Sequence, residues 1–143
     1  MGLEKVRIRG ARGSDAEGLF PLVVEFATSF VPERGAFDGA FRRILADQGA
    51  CLLVAELEGR AIGYLLGFEH LTFFANGAAS WVEEIAVASS DRRKGIGRAL
   101  MTRFEQWAGS RGARVVALAT RRAGRFYLAL GYEESASYFR KVL

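Results

Sequence analysis

Apolar and polar residues alternate in the first patterned stretch of the chain. Lys5-Val6-Arg7-Ile8-Arg9 has the period of two that is typical of a half-buried strand. From Ser14-Asp15 onward the spacing becomes helical, and Glu17 completes the pattern of a capping box with Ser14. The apolar stripe of this predicted helix consists of Leu19, Leu22, Val23, Phe26 and Phe30. After a loop around residues 31–35, Phe37, Phe41 and Ile44/Leu45 predict a second helix.

The middle of the chain is patterned as strands. Cys51–Leu57, Ala61–Phe68 and Ser80–Val87 are predicted strands, and Glu58-Gly59-Arg60 is predicted to be a hairpin turn. The two strands joined by this turn must be antiparallel.

Helices and strands alternate in the second half. Gly95 to about Arg111 is a predicted long helix, whose apolar stripe is formed by Ile96, Leu100, Phe104 and Trp107, and Gly112 ends it. The remaining predictions are a buried strand at Arg114–Ala119, a helix at Arg121–Leu130 ended by Gly131, and one or two final strands within Tyr132–Val142. The order β-α-α-β-β-β-α-β-α-β predicts an α/β fold, with residues 1–143 as a single domain. We expect a mixed central sheet flanked by helices.

The composition is that of a soluble globular domain. Of the 143 residues 50% are hydrophobic, 12% aromatic and 25% charged, and the longest apolar stretches are too short to span a bilayer. Cys51 is the single cysteine, which excludes internal disulfides and a cysteine-based zinc site. These features predict a cytoplasmic protein that does not act at a membrane.

The net charge of +4 comes largely from two short basic clusters. One is Arg92-Arg93-Lys94 with Arg98, and the other is Arg121-Arg122 with Arg125. Such clusters can bind nucleic acid or a small polyanion such as a phosphorylated cofactor. Because neither has the length of a nucleic-acid-binding tail, they favour the small polyanion.

The first basic cluster surrounds a Gly-x-Gly turn between a strand and a helix. Unpaired N–H groups at a helix N-terminus and the helix dipole form a site for a diphosphate. We expect Gly95 and Gly97 to let the backbone approach the phosphate oxygens, where a Cβ would stand in the way. The pattern fits neither a Walker A loop nor a dinucleotide fingerprint. Glycines that serve only the turn are the structural alternative.

Two motifs resemble the GNAT acetyltransferase superfamily. Arg92-x-x-Gly95-x-Gly97-x-Ala99, after a strand that ends in Ile85-Ala86-Val87, is similar to its Q/R-x-x-G-x-G/A-x-A signature. The segment from Phe126 to Tyr132, with Tyr127 inside it, resembles its A-x-x-F-Y-x-x-L-G-F/Y segment, although Gly124 interrupts the opening alanines. The resemblance extends from about Trp81 to the C-terminus. An asparagine that many members have at the start of the second helix is replaced here by Thr120-Arg121-Arg122.

The resemblance implies the GNAT fold, acetyl-CoA as co-substrate and no metal. The cofactor-binding residues that it implies are Ile85, Ala86 and Val87, which would pair with the pantetheine arm, and Arg92, Arg93, Lys94, Gly95, Ile96, Gly97 and Arg98, which would surround the pyrophosphate. Tyr127 would protonate the departing thiolate, a role that suits a phenol. The alternative for Tyr127 is a core aromatic residue on an amphipathic helix.

A base must remove the proton of the acceptor amine, and Glu83 and Glu84 are the candidates. They point to opposite faces of one strand, and either could instead be a solvated charge. Glu83 shares a face with Ile85 and Val87, which have the character of core residues. We therefore expect Glu84 to matter more, beside the small Ala86, unless a bulge reverses the faces. His70, the single histidine, is predicted to be a surface residue.

The sequence therefore predicts an N-acetyltransferase that moves an acetyl group directly to a small-molecule or peptide amine in a ternary complex. Phe30, Phe37, Phe41, Phe73 and Phe74 are candidates for an apolar acceptor pocket or for the core. A silent GNAT domain that senses acetyl-CoA is an alternative, and a basic nucleic-acid-binding module is another. The resemblance also allows a homodimer.

Overall fold

The chain forms a mixed sheet with helices on both faces. The computed structural model describes residues 2–143. Its elements are β1 (Val6–Gly10), α1 (Ala16–Phe26), α2 (Arg34–Ala46), β2 (Ala50–Leu57), β3 (Arg60–Thr72), β4 (Gly77–Val87), α3 (Ile96–Ser110), β5 (Val115–Leu118) and α4 (Gly124–Ala129). Short 3-10 turns lie at Leu3–Lys5, Gly13–Asp15 and Ser89–Asp91.

The five strands lie in the order β1-β2-β3-β4-β5. The first four are antiparallel to their neighbours, and β5 runs parallel to β4, so the predicted mixed sheet is confirmed. The predicted hairpin turn is also confirmed. Glu58 and Gly59 both have positive φ, at 52° and 77°, as a two-residue turn with the twist of the strands requires.

A hydrophobic core lies on each face of the sheet. On one face α3 contributes Leu100, Met101 and Phe104, all fully buried. On the other, Leu19 and Leu22 of α1 and Phe41 of α2 pack against β2 and β3. We call these the α3 core and the α1–α2 core. None of the helices within residues 2–143 combines the length and the apolar character that a membrane crossing requires.

The start of α1 differs from the prediction. Ser14 and Glu17 do not form the predicted capping box; instead, the Asp15 carboxylate accepts the Arg12 N–H at 2.6 Å. The Arg9 guanidinium also donates to Asp15 at 2.8 Å. The charged hydrogen bonds from Arg9 on β1 therefore hold the Asp15 side chain at this helix start, in the place where the sequence predicted Ser14 and Glu17.

The prediction of one or two final strands is wrong. From Tyr132 to Leu143 the structure has neither helix nor strand. A strand needs a neighbour for its backbone groups, and this segment makes no pairing with β5. The predicted buried strand at β5 is therefore an edge strand, and Val115 is 39% exposed.

Several smaller predictions are also corrected. Helix α4 begins three residues later than expected, because the Thr120 hydroxyl accepts the Ala123 N–H at 3.0 Å in a turn. Phe30 lies beyond the end of α1 and is 66% exposed. Phe73 and Phe74 lie in the turn between β3 and β4 and are fully or largely exposed. Phe37 and Phe41 do pack in or against the α1–α2 core.

Candidate active site

A β-bulge interrupts β4 at the two candidate glutamates. Leu66 of β3 is opposite Glu84, but the next residue, Gly67, is opposite Val82, so Glu83 is the extra residue. Glu83 is exposed and Glu84 is half-buried. A bulge re-aims the side chains that follow it.

The packing around the bulge shows which face each residue takes. Ile85 and Val87 pack against the α3 core, and Ala86 packs against the α1–α2 core. By alternation, Glu84 shares the Ala86 side, as the sequence predicted. The expected position of Glu83 beside Ile85 is corrected: Val82 fills that part of the α3 core, because the bulge displaces Glu83.

A buried tyrosine holds the Glu84 carboxylate. The Tyr64 hydroxyl donates to Glu84 Oε1 at 2.7 Å, and Tyr64 is only 2% exposed. Its ring meets Phe26 of α1 edge-on, with 6.4 Å between centroids. Burial raises the pKa of Glu84, and the charge of Glu83 adds to this, while the Tyr64 hydrogen bond acts in the opposite direction. Glu84 is therefore an oriented carboxylate that accepts a proton more readily than an exposed glutamate.

Strands β4 and β5 diverge at the bulge. Their parallel pairing ends at Val82 and Leu118, while β4 continues to Val87. The Ala88 N–H donates to the Ile62 carbonyl at 2.8 Å. Since alternate residues of an antiparallel strand face the same neighbour, Ala86 directs its backbone groups to β3, and Ile85 and Val87 direct theirs away from it. One side of β4 is thus free for an extended ligand.

Six successive N–H groups after β4 have no acceptor in the described part of the chain. The first of this region with a helical partner is Ala99, which donates to Gly95 at 3.1 Å. Within the described residues, the amides from Arg93 to Arg98 make no hydrogen bond. Positive φ values at Arg93 (64°) and Gly95 (82°) turn the backbone into a concave array of donors, which favours an anion together with the helix dipole. We call residues 93–98 the amide nest.

The basic side chains around the amide nest fall into two groups. Arg92 donates to the Val87 carbonyl at 3.0 Å and to Glu25 at 3.2 Å. Lys94 lies 3.5 Å from the buried Asp91 carboxylate. By contrast, Arg93 and Arg98 are exposed and pair with no described side chain. These two guanidinium groups are the ones available to an anionic ligand.

The structure gives each of the two glycines a reason within the protein itself. Gly95 adopts the left-handed conformation at the helix N-cap, which favours glycine. A Cβ at Gly97 would lie 3.3 Å from Phe126 Cζ, so this position is small because α4 packs against α3. The contact with Phe126 is thus one reason for a small residue at Gly97, and the close approach of its backbone to a phosphate stays a prediction.

Tyr127 is fixed on the α3 side of the sheet. It is 7% exposed, and its ring meets Phe126 and Tyr132 edge-on, at centroid distances of 4.9 and 5.8 Å. Tyr132 is itself anchored, because its hydroxyl donates to Glu105 of α3 at 2.6 Å. Burial raises the pKa of Tyr127, so the phenol keeps its proton at neutral pH. Its hydroxyl has no protein partner among the described residues and is not enclosed.

Sequence reasoning missed Tyr64 and Glu25. Tyr64 has only the signal of a strand aromatic, and its pairing with Glu84 depends on the β3–β4 register and the bulge. Glu25 has the pattern of an exposed helix position, yet it accepts from both Arg92 and the Ser89 N–H. His70 is exposed on β3. It lies four residues, or roughly 13 Å, along the strand from Leu66, the residue opposite Glu84. It is a surface residue, as predicted.

The class of protein to which this fold and site belong is shown by comparison with known proteins. Residues 17–132 match the model of the acetyltransferase (GNAT) family. The chain therefore belongs to the GNAT family of acetyltransferases.

Similar proteins agree with this assignment. An aminoalkylphosphonate N-acetyltransferase from Salmonella typhimurium is 29% identical over 95% of this chain and 90% of its own length. Glucosamine-6-phosphate N-acetyltransferase from Arabidopsis thaliana superposes with a TM-score of 0.85 over 96% and 97% of the two chains, at 22% identity. An aminoglycoside N-acetyltransferase, AAC(6')-Iy, crystallised with CoA, gives 0.83 over 95% and 94%, at 21% identity. The two structures share the fold predicted from the sequence.

Proposed function

We propose that this protein is an acetyl-CoA-dependent N-acetyltransferase that moves the acetyl group directly to a small-molecule amine. The observation that carries the proposal is the amide nest beside the free edge of β4. A run of unsatisfied N–H groups next to an unpaired strand edge suits a ligand with a diphosphate and an amide-containing arm. Acetyl-CoA has both parts.

Different residues of the chain would bind different parts of acetyl-CoA. The amides of Arg93, Lys94, Gly95, Ile96, Gly97 and Arg98 would hold the pyrophosphate, with the guanidinium groups of Arg93 and Arg98 beside it. Ile85 and Val87 would pair with the pantetheine arm, and Ala86, which faces β3, would serve as a spacer. Arg92 would act indirectly, since it holds Val87 and Glu25. The thioester of the bound molecule would supply the acetyl group.

Glu84 is the proposed base, and Tyr64 positions it. The carboxylate would take a proton from the acceptor ammonium, so that the free amine can attack the acetyl carbon. Its raised pKa brings it closer to the pKa at which a general base works near neutral pH. Glu83 is exposed on the bulge and is the weaker candidate.

Tyr127 is the proposed general acid. As the N–C bond forms and the C–S bond breaks, its phenol would donate a proton to the departing sulfur. The nitrogen would release its remaining excess proton to water, and the phenolate would regain a proton from water. Glu84 lies on the α1–α2 side of β4 and Tyr127 on the α3 side. This arrangement lets the amine and the thiol occupy opposite sides of the acetyl group, as direct transfer in a ternary complex requires.

The acceptor is proposed to be a small cationic amine. The Glu84 carboxylate attracts an ammonium group. The relatives are named for aminoalkylphosphonates, glucosamine 6-phosphate and aminoglycosides, which are all small amines. We draw the first acceptor panel from these three chemical classes and add a peptide with a free N-terminal amine.

The test combines calorimetry with acetyl-CoA and detection of released thiol across this panel. We expect binding of acetyl-CoA and amine-dependent thiol release with at least one small amine. Binding without release for a broad amine panel would instead indicate a silent sensor domain. No binding of acetyl-CoA would refute the proposal, and salt-sensitive DNA binding in its place would point to a nucleic-acid-binding module.

A further inference from the structure

The second basic cluster of the chain, Arg121, Arg122 and Arg125, has no part in the proposed reaction. All three side chains are exposed, and none forms an ion pair with a carboxylate in the described part of the chain. Arg121 and Arg122 lie in the turn after β5, and Arg125 lies in the first turn of α4. Three unpaired guanidinium groups this close in sequence raise the local positive potential, which attracts an anion.

The fold places this cluster at the same edge of the sheet as the amide nest. Strands β4 and β5 are parallel, so the segments that follow their carboxyl ends begin at one edge. The nest follows β4, and Arg121 and Arg122 follow β5. The starts of α3 and α4 also meet, because a Cβ at Gly97 would lie 3.3 Å from Phe126 Cζ, and Arg125 precedes Phe126. The nest and the cluster therefore lie on the two sides of the gap between β4 and β5.

The positive charge at this edge exceeds what a diphosphate requires. The pyrophosphate of acetyl-CoA is a diester with one charge on each phosphorus, and the nest amides with the guanidinium groups of Arg93 and Arg98 match it. Acetyl-CoA also has a phosphate monoester at the 3′ position of its ribose, with about two negative charges at neutral pH. The three arginines of the second cluster match this group in charge and in the planar geometry of their donors.

We infer that the second basic cluster binds the 3′-phosphate of acetyl-CoA and selects thioesters that carry it. The inference rests on the proposed function and adds a specificity that the amide nest lacks, since the nest recognises a pyrophosphate that acetyl-dephospho-CoA has as well. These two compounds differ only in the 3′-phosphate. Because one ribose carries both groups, the 3′-phosphate of the bound molecule lies close to the nest, and the contact between the starts of α3 and α4 brings Arg125 beside it.

The experiment measures the affinities of the full chain for acetyl-CoA and for acetyl-dephospho-CoA by calorimetry. The test variant combines Arg121→Gln, Arg122→Gln and Arg125→Gln, and each single variant is measured beside it. Since all three side chains are exposed, the substitutions leave the core intact, and denaturant unfolding checks this.

The matched control removes the same net charge from three other exposed arginines, Arg42, Arg43 and Arg114. Arg42 and Arg43 lie on α2, and Arg114 precedes β5 at the end opposite to the cluster. Each is changed to glutamine. The control therefore separates the effect of the cluster from that of the overall charge.

We expect the wild-type chain to bind acetyl-CoA about tenfold or more tightly than acetyl-dephospho-CoA. The triple variant of the cluster should bind the two compounds about equally, because its affinity for acetyl-CoA falls much more than its affinity for acetyl-dephospho-CoA. The control should keep the wild-type preference. The preference should also decrease as the salt concentration rises, since exposed charges produce it.

Equal affinities of the wild-type chain for the two thioesters would overturn the inference and leave the proposed function standing. A preference that survives in the triple variant, or that falls equally in the control, would overturn it as well. If the surviving preference is accompanied by a loss of DNA binding, the cluster belongs to a nucleic-acid site. Binding of neither thioester would refute the proposed function, and the inference with it.

Discussion

Two opposing effects act on the pKa of Glu84, and the residue Tyr64 supplies one of them. Burial raises the pKa of the carboxyl, and the hydrogen bond from Tyr64 lowers it. The same hydrogen bond occupies Oε1 and leaves Oε2 for another donor. A base needs both a fixed direction and a suitable pKa, and Tyr64 affects each of them.

The first prediction concerns the pH profile of kcat/KM. A base works only when it has lost its proton, so the acidic limb should lie above the ordinary pKa range of glutamate. In Tyr64→Phe the limb should move to higher pH, because the hydrogen bond that favours the charged form is gone. Glu84→Gln should lower kcat/KM by about a hundredfold or more and remove the limb. Tyr138→Phe, which removes an exposed hydroxyl, is the control. Glu83→Gln removes a charge that helps to raise the pKa of Glu84, so it should move the limb to lower pH without removing it.

The role of Glu84 is refuted by a wild-type profile in Glu84→Gln. If Glu83→Gln shows the loss in its place, the base is the bulge residue. A profile in Tyr64→Phe that falls uniformly, with no displacement of its limb, would assign Tyr64 a purely structural role.

Tyr127 provides a second prediction for a single residue. Its hydroxyl makes no hydrogen bond to a described protein group, so Tyr127→Phe should keep the packing against Phe126 and Tyr132. We expect kcat to fall by about a hundredfold while the affinity for acetyl-CoA stays nearly unchanged. Steady-state kinetics and calorimetry on the same preparation check this. An unchanged kcat would mean that water or another group protonates the leaving thiolate.

At the scale of elements, helix α3 has a glycine with positive φ next to each of its ends. Gly95 at the start of α3 has a φ of 82°, and Gly112, just beyond its end, has a φ of 83°. Neither glycine leaves a Cβ in a close clash: the nearest atom to one at Gly95 is Leu3 Cδ2 at 3.4 Å, and Gly112 has open space. The two positions differ mainly in that only the first belongs to the amide nest.

The third prediction compares alanine substitutions at these two glycines. Gly95→Ala and Gly112→Ala should each destabilise the fold by about 1 kcal/mol, the cost of a left-handed non-glycine residue. Only Gly95→Ala should weaken acetyl-CoA binding, by about tenfold or more, because relief of the strain re-aims the nest amides. Denaturant unfolding and calorimetry supply the two measurements. An equal loss of affinity in both variants would mean that the nest does not hold the ligand.

At the scale of the whole molecule, a small ion-pair network joins the first strand to the rest. Arg9 of β1 contacts Asp15 before α1 and Glu56 of β2, both within 3.0 Å. The Arg9 and Asp15 side chains are only about a tenth exposed. The Arg9 hydrogen bonds hold the pKa of Asp15 below its ordinary value.

The fourth prediction is a pH-dependent stability difference. A carboxyl whose pKa is lowered by folding stabilises the protein above its unfolded pKa and loses that effect as the pH falls. Asp15→Asn should therefore lower the free energy of unfolding by about 1–3 kcal/mol at neutral pH. The difference should shrink below about pH 4, where the unfolded aspartate is protonated. Asp38→Asn breaks an exposed pair with Arg34 and should have little effect. A difference that is constant with pH would exclude the ion pair as its source.

Local sequence signals determined most of the element order and the positions of the site motifs. The strand before Ala88, the glycine-rich start of α3 and the placement of Tyr127 on a short helix all follow from residues close together in the chain. Helical and strand periods and glycine at left-handed positions act over a few residues. This is why the fold class and the location of the amide nest could be predicted.

The tertiary structure alone decided what depends on neighbours far away in sequence. The bulge at Glu83, the Tyr64–Glu84 hydrogen bond and the contact between Gly97 and Phe126 each join elements whose register no local pattern encodes. The same holds for residues 132–142, where the sequence predicted one or two strands and the structure has none. A strand is specified by its partner as well as by its own sequence, because its backbone groups must be paired by another segment.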